Sequence, residues 1–252
     1  MLILLPPSET KRPGGDGTPW PKTSPAFGSL RRLRTQVVRA LVELSADADT
    51  AMRVLKLSER QRGDVAANAT LRTSPTMPAV DRYTGVLFDA LDAGSLDVAA
   101  REWLGAHVAI QSAPFGPIGA LDAIPAYRLA AGTSVPGLPP LRRLWADAAG
   151  AAIAASEPSF VLDLRSEAYV ALGPVPAGVP QAYVRVVTES DGGVVRALNH
   201  FNKHAKGDLV RRLARSRPPL RSFADLQMWA DGSGIVLRAL DDHTVELVVP
   251  AT

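Results

Sequence analysis

Eight lysines and arginines fall between Arg196 and Arg221, with one acid, Asp208, among them. Two of the chain's four histidines, His200 and His204, lie in the same run. In "NHFNKHAKGDLVRRLARS", His200, Lys203, His204 and Lys206 precede or enter a helix that carries Arg211, Arg212 and Arg215. Spacing of four residues puts Arg211 and Arg215 on one face and Leu209 and Leu213 on another. An anchored helix with cations along one side tracks phosphates, and each contact releases condensed counterions. The alternative is a solvated basic face. Gly207 supplies a point at which the helix can kink. His200 and His204 have the i, i+4 spacing of metal ligands, but no third ligand stands nearby. Phosphate or backbone suits them better, and neither a metal nor another cofactor is expected.

Three further stretches concentrate reactive side chains. "PPSETK" puts Ser8, Thr10 and Lys11 just after an apolar run, where α/β proteins usually hold ligands. A hydroxyl, a backbone turn and a lysine suit a phosphate oxygen, although the glycine pattern of a P-loop is missing. The bland reading is an exposed turn with solvated Glu9 and Lys11. "LDLRSEAYVAL" offers Asp163, Arg165, Ser166, Glu167 and Tyr169. Ser166 could cap a short helix. Glu167 could act as an acid or base if burial raises its pKa, and both readings can hold together. "GALDAIPAYRLAAG" supplies Asp122, Tyr127 and Arg128. Arg128 on a buried strand needs a partner, with Asp163 or Glu167 the obvious candidate. Gly116 and Gly119 allow close backbone approach. Trp20, in a loop rich in glycine and proline, could serve as a mobile lid; the other tryptophans look structural.

The elements that must position these groups follow from hydrophobic patterning. Leu2–Leu5, His107–Ala113, the stretch "AYRLAAG" and "SFVLDLRS" read as strands, with "PFGPIGALDAIP" as a turn. Ser29 can cap a helix through "LRRLRTQVVRALVEL", whose apolar stripe is Leu30, Leu33, Val37, Leu41 and Leu44. Further helices are expected near 49–57, 59–71, 85–91 and 96–104, and in "PLRRLWADAAGAAIAAS". Towards the end, "QAYVRVVTE" and "VVRALN" flank the hairpin turn "SDGG", and "SGIVLRAL" and "TVELVV" form a last strand pair. Strands and helices interleave, and no linker or repeat divides the 252 residues. The pattern predicts one α/β domain over 1–252.

Composition narrows the function. Apolar residues make up 46% and charged residues 21%, an ordinary globular balance. No apolar run approaches the roughly 18 residues of a membrane helix. "MLILLPPSETK" is too short for a signal peptide and has no basic residue before its apolar run, so a cytoplasmic location is expected and no membrane partner. The absence of cysteine removes disulfides, thiolate metal sites and a cysteine nucleophile. Net charge is only +3, so the basicity is local.

The stretches "MLILLPPSETK", "YTGVLFDAL", "GPIGALDAIPAYRLAAG", "FVLDLRSEAY" and "HFNKHAKG" appear in the order of the YaaA family, which the chain resembles over nearly its whole length. The likeness is to the actinobacterial branch, with "PPSETK" at the opening. Where other members carry a helix-hairpin-helix-like segment, this chain has "APFGPIGALDAI". The resemblance implies a compact α/β fold, a mixed sheet surrounded by helices, with a positively charged cleft. It further implies binding to double-stranded or branched DNA and a role in limiting oxidative DNA damage.

The leading expectation is a DNA-binding protein of the peroxide-stress response. Its phosphate contacts would come from Ser8, Lys11, Arg128, Arg165, His200, Lys203, His204, Lys206, Arg211, Arg212 and Arg215. The rival is an enzyme acting on a phosphate-containing or nucleotide-like small molecule in the same cleft, with Glu167, Ser166 and Tyr169 as its catalytic groups. A bland DNA groove needs cations; it does not need a glutamate and a tyrosine beside them. Lys11, Arg128, Glu167 and Lys203 are expected around one concave site.

Overall fold

The computed structural model describes residues 1–20, 25–189, 195–197 and 199–250, with the backbone alone for 189, 195–197 and 199–201. The strands are β1 Leu2–Leu5, β2 Met77–Pro78, β3 Val108–Ser112, β4 Gly116–Gly119, β5 Ala123–Ile124, β6 Val161–Asp163, β7 Gln181–Glu189, β8 Val195–Ala197, β9 Val236–Ala239 and β10 Thr244–Pro250. The helices are α1 Arg31–Leu44, α2 Ala48–Leu55, α3 Arg62–Ala69, α4 Ala79–Arg82, α5 Val86–Leu91, α6 Val98–His107, α7 Leu141–Ala154, α8 Glu167–Val170, α9 Asn199–Ser216 and α10 Phe223–Gly232. The predicted turn "SDGG" and the side chain of His200 lie outside what is described.

The main sheet runs in the order β4-β3-β1-β6-β7-β10-β9, with β8 beside β7. β3, β1, β6, β7 and β10 are parallel to their neighbours, whereas β4 and β9 close the two edges antiparallel. Strands covered on both faces read as unbroken apolar runs, as "LILL" does. β2 and β5 form a separate antiparallel pair. The fold is therefore α/β with a mixed sheet and surrounding helices.

The connections from β1 and β6 leave in opposite directions along the sheet. β1 leads through α1–α6 to β3 on one side, and β6 leads to β7 on the other. The space beyond the carboxyl ends of β1 and β6 is thus a topological switch point, where open parallel sheets hold ligands. Register fixes the two ends together, since Leu4 pairs with Asp163 and Leu164 N–H donates to Leu4 O. "PPSETK" and "RSEAY" emerge side by side there.

Three predicted elements differ. "AYRLAAG" forms no strand, because the side chain of Asn68 takes the place of a neighbouring strand. Asn68 Oδ1 accepts from Arg128 N–H at 2.8 Å, and its Nδ2 donates to Arg128 O at 2.9 Å. Gly116–Gly119, expected within a turn, is β4; the turn falls earlier, at 113–115. Gly116 sits at φ +64 against the ring of Trp145, whose Nε1 donates to Ala113 O. Trp20 is no lid. It is 4% exposed and packs on Phe115 with ring centroids 5.0 Å apart.

Candidate functional site

Arg82, buried within α4, organises the first loop. Its guanidinium donates to the carbonyls of Arg12, Gly14, Pro75 and Ile124. Lys11 bridges to Tyr83, and Thr10 O accepts from Thr84 N–H while Thr10 Oγ1 donates to Thr84 O. The hydroxyls of Ser8 and Thr10 lie 3.2 Å apart. Both would only touch a Cβ at Gly85, and it is the backbone angle there, φ +96, that favours glycine.

On this framework the Lys11 ammonium donates to Ser8 O at 2.8 Å and Glu9 O at 3.2 Å. It rests 4.0 Å from the Tyr127 ring centre and 5.4 Å from that of Tyr83. The phenols of Tyr83 and Tyr127 hydrogen-bond to one another at 2.8 Å. Arg128 donates to Glu9 O at 3.2 Å and to the Glu9 carboxylate at 2.8 Å. Burial, then the charge of Arg128, lowers the Lys11 pKa to about 7. Burial is also the first cause that raises Tyr169, to about 12, followed by the charge of Glu9.

That shift carries a sign. The unfolded chain holds the Lys11 proton up to the ordinary lysine range, whereas the folded chain releases it near pH 7. Between the two values the unfolded state binds more protons, so stability rises with pH and the gain is lost as pH falls through about 7. Lys11→Met should flatten that segment of a stability–pH profile measured by urea unfolding. An unchanged slope would mean that Lys11 keeps its proton in the fold.

A second cluster adjoins at the end of β6. Arg165 is fully buried and grips Asp163 through two nitrogens, Nε at 2.9 Å and Nη2 at 2.5 Å. A third contact is from its Nη1 to Gly173 O at 2.8 Å. Lys206, reaching in from α9, is 5% exposed and donates to Arg165 O at 3.5 Å. Its pKa is lowered to about 8 by burial, partly opposed by Asp163. Tyr183 is raised by burial, then by Asp163 and Glu167.

Across residues 1–233 the sequence matches the family described as peroxide stress protein YaaA. The chain belongs to the YaaA family. A UPF0246 protein of Corynebacterium glutamicum is 42% identical, with 99% of this chain and all of that protein aligned. A UPF0246 protein of Streptomyces coelicolor is 41% identical over 84% of this chain and 82% of its own length. One from Lactobacillus delbrueckii subsp. bulgaricus is 28% identical over 92% and 91%. The family match ends before β9 and β10, which the C. glutamicum relative spans as well.

Within this YaaA fold Ser8, Lys11, Arg128 and Tyr169 gather at the switch point. The partner of Arg128 is Glu9, not Asp163 or Glu167, because Asp163 is already committed to Arg165. Arg165 has no side-chain surface to offer a phosphate; it is framework. Lys206 likewise points inward. Ser166 precedes α8 but makes no capping hydrogen bond, and Glu167 is exposed rather than buried. Among the described residues no hydrogen bond or ion pair joins Glu167 or Lys203 to Lys11 and Arg128. On α9, Arg211 is held by Leu91 O, Asp92 and Ser95, and Arg212 by Asp208. Lys203, His204 and Arg215 are exposed. Sequence reasoning took Glu9 only as a solvated charge and passed over Asn68 and Arg82. A lone arginine inside the apolar helical stretch "AVDRYTGVLF" was the available signal for Arg82.

Proposed function

We propose that the chain is a cytoplasmic DNA-binding protein of the peroxide-stress response, holding the phosphates of double-stranded or branched DNA and limiting oxidative damage to it. The family's description supports the stress role. One observation carries the DNA reading. Lys203, His204 and Arg215 on α9 are exposed and have no hydrogen bond or ion pair among the described residues. They can meet phosphate without breaking an internal contact, as Arg211 and Arg212 cannot. Phosphate contacts fix position and salt dependence, not sequence preference.

Lys203→Ala with Arg215→Ala should therefore lower the slope of log affinity against log salt by about 0.9 per lost contact on duplex DNA. Arg211→Ala should change it less. A gel-shift titration with unchanged affinity and slope for the double variant removes α9 from the interface. No binding by the wild type at low salt discards the DNA reading.

A second reading, an enzyme acting on a phosphate-containing small molecule, is favoured by Lys11, whose pKa of about 7 suits proton transfer. Lys11→Arg keeps a cation for DNA but removes the proton acceptor. Under the enzyme reading it should lose peroxide survival in cells at unchanged DNA affinity. Full survival leaves the binding reading alone.

A further inference from the structure

Lys11 and Arg128 share one acceptor, Glu9 O, at 3.2 Å each, which fixes an amine and a guanidinium side by side at the switch point. The amine lies on the face of Tyr127. The guanidinium is steadied from behind, since the backbone N–H and C=O of Arg128 are both held by the buried side chain of Asn68. Its other nitrogen grips the Glu9 carboxylate, and the two partners are unlike. The Arg128 side chain is 15% exposed and that of Glu9 is 70% exposed. An exposed carboxylate on a surface ion pair is weakly held and can give way to a competing anion. DNA binding requires none of this. A phosphate-tracking groove has no use for a lysine sunk between two tyrosines.

We propose that this is a site for a small 2-oxo acid. The ligand's carboxylate replaces that of Glu9 on Arg128, and its carbonyl carbon condenses with the ε-amine of Lys11. In a 2-oxo acid the carbonyl is bonded directly to the carboxylate, which matches two nitrogen groups that share one oxygen. The Lys11 nitrogen adds to the carbonyl carbon, and the carbonyl oxygen leaves as water together with both amine hydrogens, giving an imine. The imine takes a proton from solvent when it becomes cationic. No oxidant or other reactant is needed. A desolvated lysine beside a second cation is the usual way to keep such an amine unprotonated and nucleophilic. The inference stands apart from the DNA reading, and neither result decides the other.

The test is reductive trapping on the full chain. Pyruvate and cyanoborohydride are added near neutral pH, and the modified lysines are located by peptide mass mapping. Lys11 should be modified at least about tenfold faster than exposed Lys56, because Arg128 holds the ligand's carboxylate beside it and burial lowers the pKa of its amine. Its rate should level off above about pH 7. Acetaldehyde, which lacks the carboxylate, should lose the preference for Lys11. Glu9→Gln should speed the pyruvate adduct, and Arg128→Met should slow it in a variant whose unfolding midpoint shows that it is folded. Modification spread evenly over the lysines overturns the proposal, and so does an adduct yield that is undiminished in Lys11→Arg. Equal preference for Lys11 with acetaldehyde and pyruvate overturns the assignment to 2-oxo acids.

Discussion

Asp163→Asn should cost about 3–5 kcal/mol of folding stability, the range for removing one partner of a buried ion pair. The side chains of Arg165 and Asp163 are 0% and 3% exposed, so water cannot replace the lost charge. Asparagine keeps the size of the side chain and one acceptor oxygen. Its amide nitrogen then faces Arg165 Nη2, donor against donor, where Asp163 Oδ2 now accepts at 2.5 Å. The change also removes the charge that opposes the desolvation of Lys206, so that ammonium loses its proton more readily. With a typical domain stable by only about 5–15 kcal/mol, the loss should show as a large fall in the urea midpoint at unchanged slope. Arg165→Met combined with Asp163→Leu should cost less than Asp163→Asn alone, because no charge is left stranded. A single variant within about 1 kcal/mol of wild type would mean that the pair is solvated, or that Arg165 finds another acceptor.

That pair explains why the sequence was half legible at this site. "VLDLRS" announced a strand with charges at its end, and the strand is there. Side-chain direction was not readable. In "DLR" the two charges are two residues apart, and Arg165 folds back on Asp163 instead of reaching outward. An arginine that turns inward looks the same in sequence as one that waits for a phosphate. The same limit applied on α9, where Lys206 went inside and Lys203 outside, three residues apart. "PPSETK" was legible as a loop at a strand end. That its glutamate would neutralise Arg128 was not, since 119 residues separate the two. The missed strand partner at "AYRLAAG" is a side-chain amide that copies a backbone, which no periodicity encodes. Helix α10 was missing from the sequence reading, although Ser222 with Asp225 three residues on was an available signal, and the structure forms that capping box.

Gly207 settles what α9 is anchored to. The helix runs without a break from Asn199 to Ser216, so the glycine is not a kink. It is the point of closest approach to α5. A Cβ there would overlap Leu87 O, lie 2.9 Å from the Ala90 Cβ and lie 3.0 Å from the Leu87 carbonyl carbon. Two of these atoms are backbone and the third is itself a Cβ, so no flexible side chain can yield. Gly207→Ala must push α9 off α5, disturbing the packing of Leu209, Val210 and Leu213 and displacing Lys206 and Arg211 from their present contacts. Alanine is worth about 1 kcal/mol more than glycine in an open helix. Overpacking costs about 1–3 kcal/mol and sometimes more. Against a rigid wall the second effect should win, and the variant should be destabilised. Gly63, in α3, is the control: a Cβ there meets nothing within 4 Å. Gly63→Ala should therefore stabilise the fold by up to about 1 kcal/mol and raise the urea midpoint, while the same substitution at Gly207 lowers it. DNA affinity should fall with Gly207→Ala only insofar as α9 moves, which a salt titration beside the unfolding curve resolves. If both variants shift the midpoint upward, α9 and α5 are not packed this closely, and the inward placement of Lys206 fails with them.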